Sequence, residues 1–244
     1  MPRTPTPTRT RARTQPPLRL GDYVSAPTRG PLSETPYGSL DTLDLADFLA
    51  RWPELHREAL AALGEAGRIH PTAFVHPRAI VGHDVIIGAG AKVFEFSSVR
   101  KGSVVCAGAS VGFNCEVTAA FIGEDAVLGH RIGVNRTLVG AGAHLSAGVT
   151  VAAINLCDDM RAPDREVIIR TGTGIYRCGT PQFGAVIGDG TQTGNSISLG
   201  PGTAIGRHTR IASGVTLAVR TVPPHSTVTT RHTAEAVVRA RQTR

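Results

Sequence analysis

The sequence predicts a left-handed parallel β-helix, an all-β solenoid whose coils are triangular, and three observations carry that prediction. Ile69, Val75, Val81, Ile87, Val93, Val99, Val105, Val111 and Val117 each open a six-residue unit without a slip. The rhythm resumes at Ile122, Leu128 and Val134, at Val139, Leu145 and Val151, and again from Ile187 through Thr193, Leu199, Ile205, Ile211 and Leu217. The second position of many units is small, as at Gly82, Gly88, Cys106 and Gly112. A period of six places one aliphatic side chain per unit inward, stacked on its equivalent one coil later, with small residues where the chain bends. A twisted sheet repeats at two and an amphipathic helix near 3.6, and neither matches. The 21 hexads make about seven coils, a prism on the order of 30 Å long at the strand spacing.

Along the chain, residues 1–40 read as a disordered basic leader, because Pro, Thr, Gly and Arg dominate and nothing periodic appears. Residues 41–68 read as a helical cap. Asp41 or Asp44 can cap its start, Leu45, Phe48, Leu49, Trp52, Leu55, Leu60 and Leu63 supply an apolar face, and Gly64 and Gly67 end it. Pro53 argues for a break or for a second helix starting there. The expected task of this helix is to cover the open first coil, whose edge could otherwise pair with another strand. The solenoid occupies 69–228, interrupted by an insertion over 152–186 that is far longer than an ordinary connection and so reads as functional. A flat prism face offers it little shelter, so the insertion is expected to reach a neighbouring subunit. Residues 229–244 form a tail or short helix.

Composition narrows the function. Hydrophobic residues make up 41% of the 244 and aromatics only 5%, which suits a narrow aliphatic stack. The net charge of +7 resides in the ends: five Arg and no acid in residues 1–20, four Arg against Glu235 in residues 229–244. No aromatic platform accompanies the basic ends, so nucleic acid is not an expected partner. No apolar run approaches the roughly 18 residues of a membrane span, and no secretory signal is present, so no membrane is expected and the cytoplasm is the expected location. Cys106, Cys115, Cys157 and Cys178 form no CxxC pair and read as reduced structural thiols.

A solenoid fills its own interior, so any site lies on a face or between subunits, and a homotrimer supplies such clefts. His130 is the candidate general base. It stands third in its hexad, two residues past the inward Leu128, and therefore points outward. Two places where the repeat shortens from six to five, Val117 to Ile122 and Val134 to Val139, flank it. His83, His144 and His208 also face outward, so position alone does not choose among them. An imidazole changes charge near physiological pH, which suits proton transfer.

The stretch from Glu116-Val117 through IGEDAVLGH to the LVG ending at Gly140 resembles the acetyltransferase half of the bifunctional glucosamine-1-phosphate acetyltransferase/N-acetylglucosamine-1-phosphate uridylyltransferase. Asn155-Leu156, the charged loop and FGAVIGDGTQTGNSISLGPGTAIG (Phe183 to Gly206) resemble the archaeal sugar-1-phosphate nucleotidylyltransferase/acetyltransferase branch. The resemblance covers residues 69–220 and leaves out the nucleotidyltransferase half. It implies an acyl-CoA-dependent N-acyltransferase with no required metal, which acetylates an amino sugar or other small amine at a site between subunits of a homotrimer. It makes His130 the base that deprotonates the amine, and Asn195 and Ala212 the contacts to acetyl-CoA. Glu116, Asn135, Asn155, Arg161 and Tyr176 become the contacts to the acceptor.

The departures bear on the acceptor. Thr118 stands where the family has a lysine for sugar phosphate, and Gly133 where it has a tyrosine. Arg131, Arg136 and the loop arginines can rebuild an anionic site or remain solvated surface. A carrier-protein or aminoacyl donor, and a catalytically silent binding or regulatory subunit, are the alternatives. A zinc site of the γ-carbonic anhydrase type needs an H-x4-H pair, and Asn135 stands where its second histidine would be.

Overall fold

A computed structural model describes residues 17–157 and 159–230. From Phe74 onward the chain winds as a left-handed parallel β-helix. Face A has eight strands from Phe74–Val75 to Thr227–Val228, and face B has seven from Ile80–Val81 to Thr216–Leu217. Face C has seven coil strands from Ile86–Ile87 to Arg220–Val222 plus a hairpin. Equivalent residues pair one coil apart, as in Val93↔Val111, Val99↔Val117 and Val105↔Ile122. Those inward aliphatics form one buried stack. The small second position exists for stacking: a Cβ on Gly112 would lie 1.7 Å from the Gly129 carbonyl oxygen one coil on.

Faces A and B carry outward polar residues such as Lys92, Ser110 and Gln192, or Ser98, Glu116 and Thr216. Face C differs. Its outward residues Ile86, Val104, Phe121, Leu138, Val186 and Ala204 are all apolar and all buried, packed with the segment that precedes the solenoid.

That covering corrects three expectations. The basic leader expected over 1–40 is packed from residue 18 onward: Leu18, Leu20, Val24, Leu32, Tyr37 and Leu40 are buried, in short 3-10 turns. Polar anchors hold it to the corner between faces C and A. Asp189 accepts from Ser25 Oγ at 2.7 Å and Ala141 N at 2.8 Å, and Glu124 accepts from Arg29 N at 2.7 Å. The helix α1 (Leu45–Gly67) does not close the first coil but lies along face C. Its regular part, Leu45 to Leu63, rises about 28 Å, close to the length of the stack. Asp44 caps it, accepting from Ala46 N at 3.1 Å. No break occurs at Pro53, which is exposed on the outer side, and the kink falls at Gly64, where φ is +66°. Burial of Leu45, Phe48, Trp52, Leu55 and Ala59 outweighs the roughly 3 kcal/mol that an interior proline costs.

The insertion likewise folds onto its own chain rather than projecting away from it. Ile168–Thr171 and Gly174–Arg177 form an antiparallel hairpin, which joins face C beside the strand Arg220–Val222. Its Val167, Ile169, Tyr176, Cys178 and Phe183 are buried in the cluster beneath α1. Burial pushes the Cys178 thiol up to about 12, and Cys106, on face C, is raised for the same reason. Residues 1–16 and 231–244, with most of the expected C-terminal tail or helix, lie outside the described residues; Thr229 and Thr230 are not helical.

A fully satisfied polar relay crosses the buried layer. Trp52 Nε1 donates to Tyr37 Oη at 3.1 Å, Tyr37 Oη lies 2.8 Å from His56 Nδ1, and His56 Nε2 lies 2.7 Å from the Asp84 carbonyl. The carbonyl can only accept, so Nε2 carries a proton, and burial, which disfavours a second proton on the ring, leaves Nδ1 to accept from Tyr37. Burial lowers the His56 pKa below its ordinary value. The unfolded chain therefore takes up a proton near pH 6.5 that the folded chain resists, and stability falls as pH drops below that point. Thermal melts between pH 7.5 and 5.5 should show a declining midpoint, with a shallower decline in His56→Gln. Equal slopes in the two proteins would remove His56 as the cause.

Candidate functional site

The corner between faces A and B carries the candidate residues in a column. The carbonyl of His130 accepts from Gly148 N at 3.0 Å, that of Ala147 from Ser196 N at 2.8 Å, and that of Asn195 from Gly214 N at 2.9 Å. Asn195 thus sits two coils above His130, on the order of 10 Å along the axis, with Ala212 a coil further. His130, Asn195 and Ala212 are all exposed. Asn195 N donates to Ser213 Oγ at 2.9 Å, leaving its side-chain amide available.

His130 borders a cavity of about 360 Å³ with Phe94, Glu95, Phe113 and His144. Among the described residues its ring forms no hydrogen bond, so none of their carboxylates fixes its tautomer. Below it the corner is aromatic: Phe96 and Phe113, both exposed, meet edge to face at 5.7 Å. The Arg78 guanidinium lies 5.6 Å from the Phe96 centroid.

Face B supplies a second hollow, about 270 Å³, lined by Glu116, Thr118, Gly133, Asn135, Thr150 and Ser198. Its register is set by the pairs Glu116↔Gly133 and Thr118↔Asn135. Gly133 has no side chain to fill the space, and an added Cβ would meet nothing within 4 Å. Glu116 is paired with Arg100 at 2.6 Å. Thr118 Oγ1 is buried without a hydrogen-bond partner among the described residues.

The insertion residues divide differently from expectation. Asn155 reaches back to the Glu166 carbonyl at 3.4 Å and holds the base of the loop. Arg161 is exposed and pairs with Asp159, two residues away, at 3.4 Å. Tyr176 is a correction: it is fully buried, donates its hydroxyl to Asp44 and accepts from Ala46 N at 2.6 Å. It ties the hairpin to the start of α1 and has no surface to offer an acceptor. The two shortened repeats lie within the spans read from the sequence, but in space they do not flank His130. Both fall at the corner between faces B and C, at Ala119 and Arg136, a full face away from His130.

Two family models match. The GMPPB C-terminal domain matches residues 64–161, which include His130, and the bacterial transferase hexapeptide (six repeats) matches residues 184–218, which include Asn195 and Ala212. Neither model spans half of the chain, and both lie on segments built from six-residue repeats. Among curated relatives, the carnitine operon protein CaiE of Escherichia coli is 36% identical over 83 residues, covering 31% of this chain and 42% of that protein. The chain thus spans less than half the length of the curated relatives it matches. Solved structures include the acetyltransferase domain of PglB from Neisseria gonorrhoeae, at 20% identity, 71% of this chain, 64% of that chain and a TM-score of 0.29. Another is a mutant of perosamine N-acetyltransferase from Caulobacter crescentus in complex with CoA and GDP-perosamine, at 18%, 75%, 61% and 0.33.

Among the described residues no group of three or more His, Cys, Asp or Glu gathers as a metal site, and no helix is long and apolar enough to cross a membrane.

Proposed function

We propose that this protein is an acyl-CoA-dependent N-acyltransferase acting on an amino sugar or another small amine. The observation that carries the reading is the exposed His130 at the foot of a corner column that also bears Asn195 and Ala212, inside segments matched by the GMPPB C-terminal domain and the transferase hexapeptide. The thioester lies along the column and its carbonyl meets Asn195, whose amide stabilises the tetrahedral oxyanion. His130 takes the proton from the amine as nitrogen attacks; the C–N bond forms, the C–S bond breaks, and the sulfur leaves as the thiol after receiving that proton. The acceptor is held against face B by Glu116 and Asn135. A second copy in a homotrimer closes the column against water, and the exposed Phe96 and Phe113 beside it fit that contact. Asn155 and the Phe183–Gly206 segment favour the archaeal amino-sugar branch within this class.

Calorimetry with acetyl-CoA and with free CoA tests the donor. Binding at a Kd of about micromolar is expected for both. No heat with either at millimolar ligand overturns the CoA assignment and leaves a carrier-borne donor or a binding subunit.

A further inference from the structure

A cavity of about 440 Å³ lies between α1 and the corner joining faces B and C, within the size range of small-molecule sites. It is separate from His130, which stands at the other edge of face B. Leu49, Trp52 and Leu60 of α1 form an apolar wall. Three cations line the same space: Arg57 from the helix, and Lys101 and Arg136 from solenoid corners two coils apart. Among the described residues none of the three makes an ion pair or a side-chain hydrogen bond, as is also true of other cations such as Arg51, Arg131 and Arg210. Asp84 is the single acid in the lining, so the cavity retains a positive excess. Arg136 is half-buried, and that burial lowers its pKa. A guanidinium partly removed from water with no partner is costly unless an anion arrives.

Two of the three shortened repeats, at Ala119 and Arg136, line the cavity, and the third, between Leu217 and Val222, does not. The insertion returns to the solenoid here through Thr180 and Gln182, which add a hydroxyl and an amide. Gly102, at φ +67°, lets the corner approach His56, whose ring a Cβ there would meet at 3.2 Å. The ends of the chain are basic and make poor occupants of a cationic cavity.

We propose that this cavity binds a small amphipathic anion, its phosphate or carboxylate held by Arg57, Lys101 and Arg136 and its aromatic or aliphatic body laid on Leu49, Trp52 and Leu60. Charge-assisted bonds from guanidinium and ammonium supply the anion selectivity, and the apolar wall selects for a body beyond the bare ion.

Trp52 is the sole tryptophan of the chain, so its emission reports on this cavity directly. The full-length protein is titrated with phenyl phosphate, benzoate, inorganic phosphate and benzyl alcohol at constant ionic strength. Phenyl phosphate, benzoate or both should change the emission saturably, and the stronger of the two names the head group. Inorganic phosphate should bind at least about ten-fold more weakly, and Arg136→Gln and Lys101→Gln should each weaken the preferred organic anion by about ten-fold. Thermal melts identify any variant that does not fold, and Lys101→Gln, at an exposed position, carries the test if Arg136→Gln is lost. Absence of saturation with both organic anions overturns the proposal. So does equal binding of benzyl alcohol or of inorganic phosphate, or unchanged affinity in the folded variants.

Discussion

His130→Ala is expected to lower kcat for acyl transfer by about 10² to 10⁴, the range that a positioned general base contributes. Binding of CoA should change little, since the donor runs up the corner past Asn195 and Ala212, away from the imidazole. Steady-state rates with acetyl-CoA and an amino-sugar acceptor, together with CoA calorimetry on the same variant, read the two effects separately. A loss of kcat with intact CoA affinity identifies proton transfer as the role. Unchanged turnover removes His130 from the reaction. His144, which borders the same cavity from face A, is the natural control: His144→Ala should retain most of the activity.

Phe121→Ala is expected to be the most damaging single truncation of the face C layer. The Phe121 ring is completely buried, points outward from its coil and stacks on Tyr37 with centroids 5.6 Å apart and planes 25° from parallel. Tyr37 is also the middle member of the relay that joins Trp52 to His56. The truncation removes a large apolar surface, leaves a cavity and releases one side of that tyrosine, at a cost of about 3–5 kcal/mol. Equilibrium unfolding in urea measures it. Limited proteolysis should then cut first in residues 17–67, because the covering layer loses its contact with the solenoid before the solenoid unwinds. A loss below about 1 kcal/mol, with no new cleavage there, would mean that the layer is held by its polar anchors at Asp189 and Glu124 instead.

How much of this is legible before folding differs from one part to another. The inward stack is readable because its signal is local: one aliphatic residue every six positions, whatever the rest of the chain does. His130, Asn195 and Ala212 can be placed outward by the same count, and each is exposed. Tyr176, a tyrosine in a charged loop, looks solvated in the sequence because its partner, Asp44, is 132 positions away. A signal for the buried layer is present but spread out. Ile86, Val104, Phe121, Leu138, Val186 and Ala204 are apolar at the outward position of every third strand, a pattern that implies a cover once the coils are stacked.

The sequence by itself determined the period, the coil register and the identity of the corner residues, since hexad stacking depends on spacing alone. Only the tertiary structure decided what covers face C, where the shortened repeats fall and which arginines are left unpaired. Those outcomes depend on residues brought together from distant parts of the chain. The leader, α1 and the hairpin find burial only on a solenoid already wound, and that burial overrides the disorder expected of residues 17–40 and the break expected at Pro53.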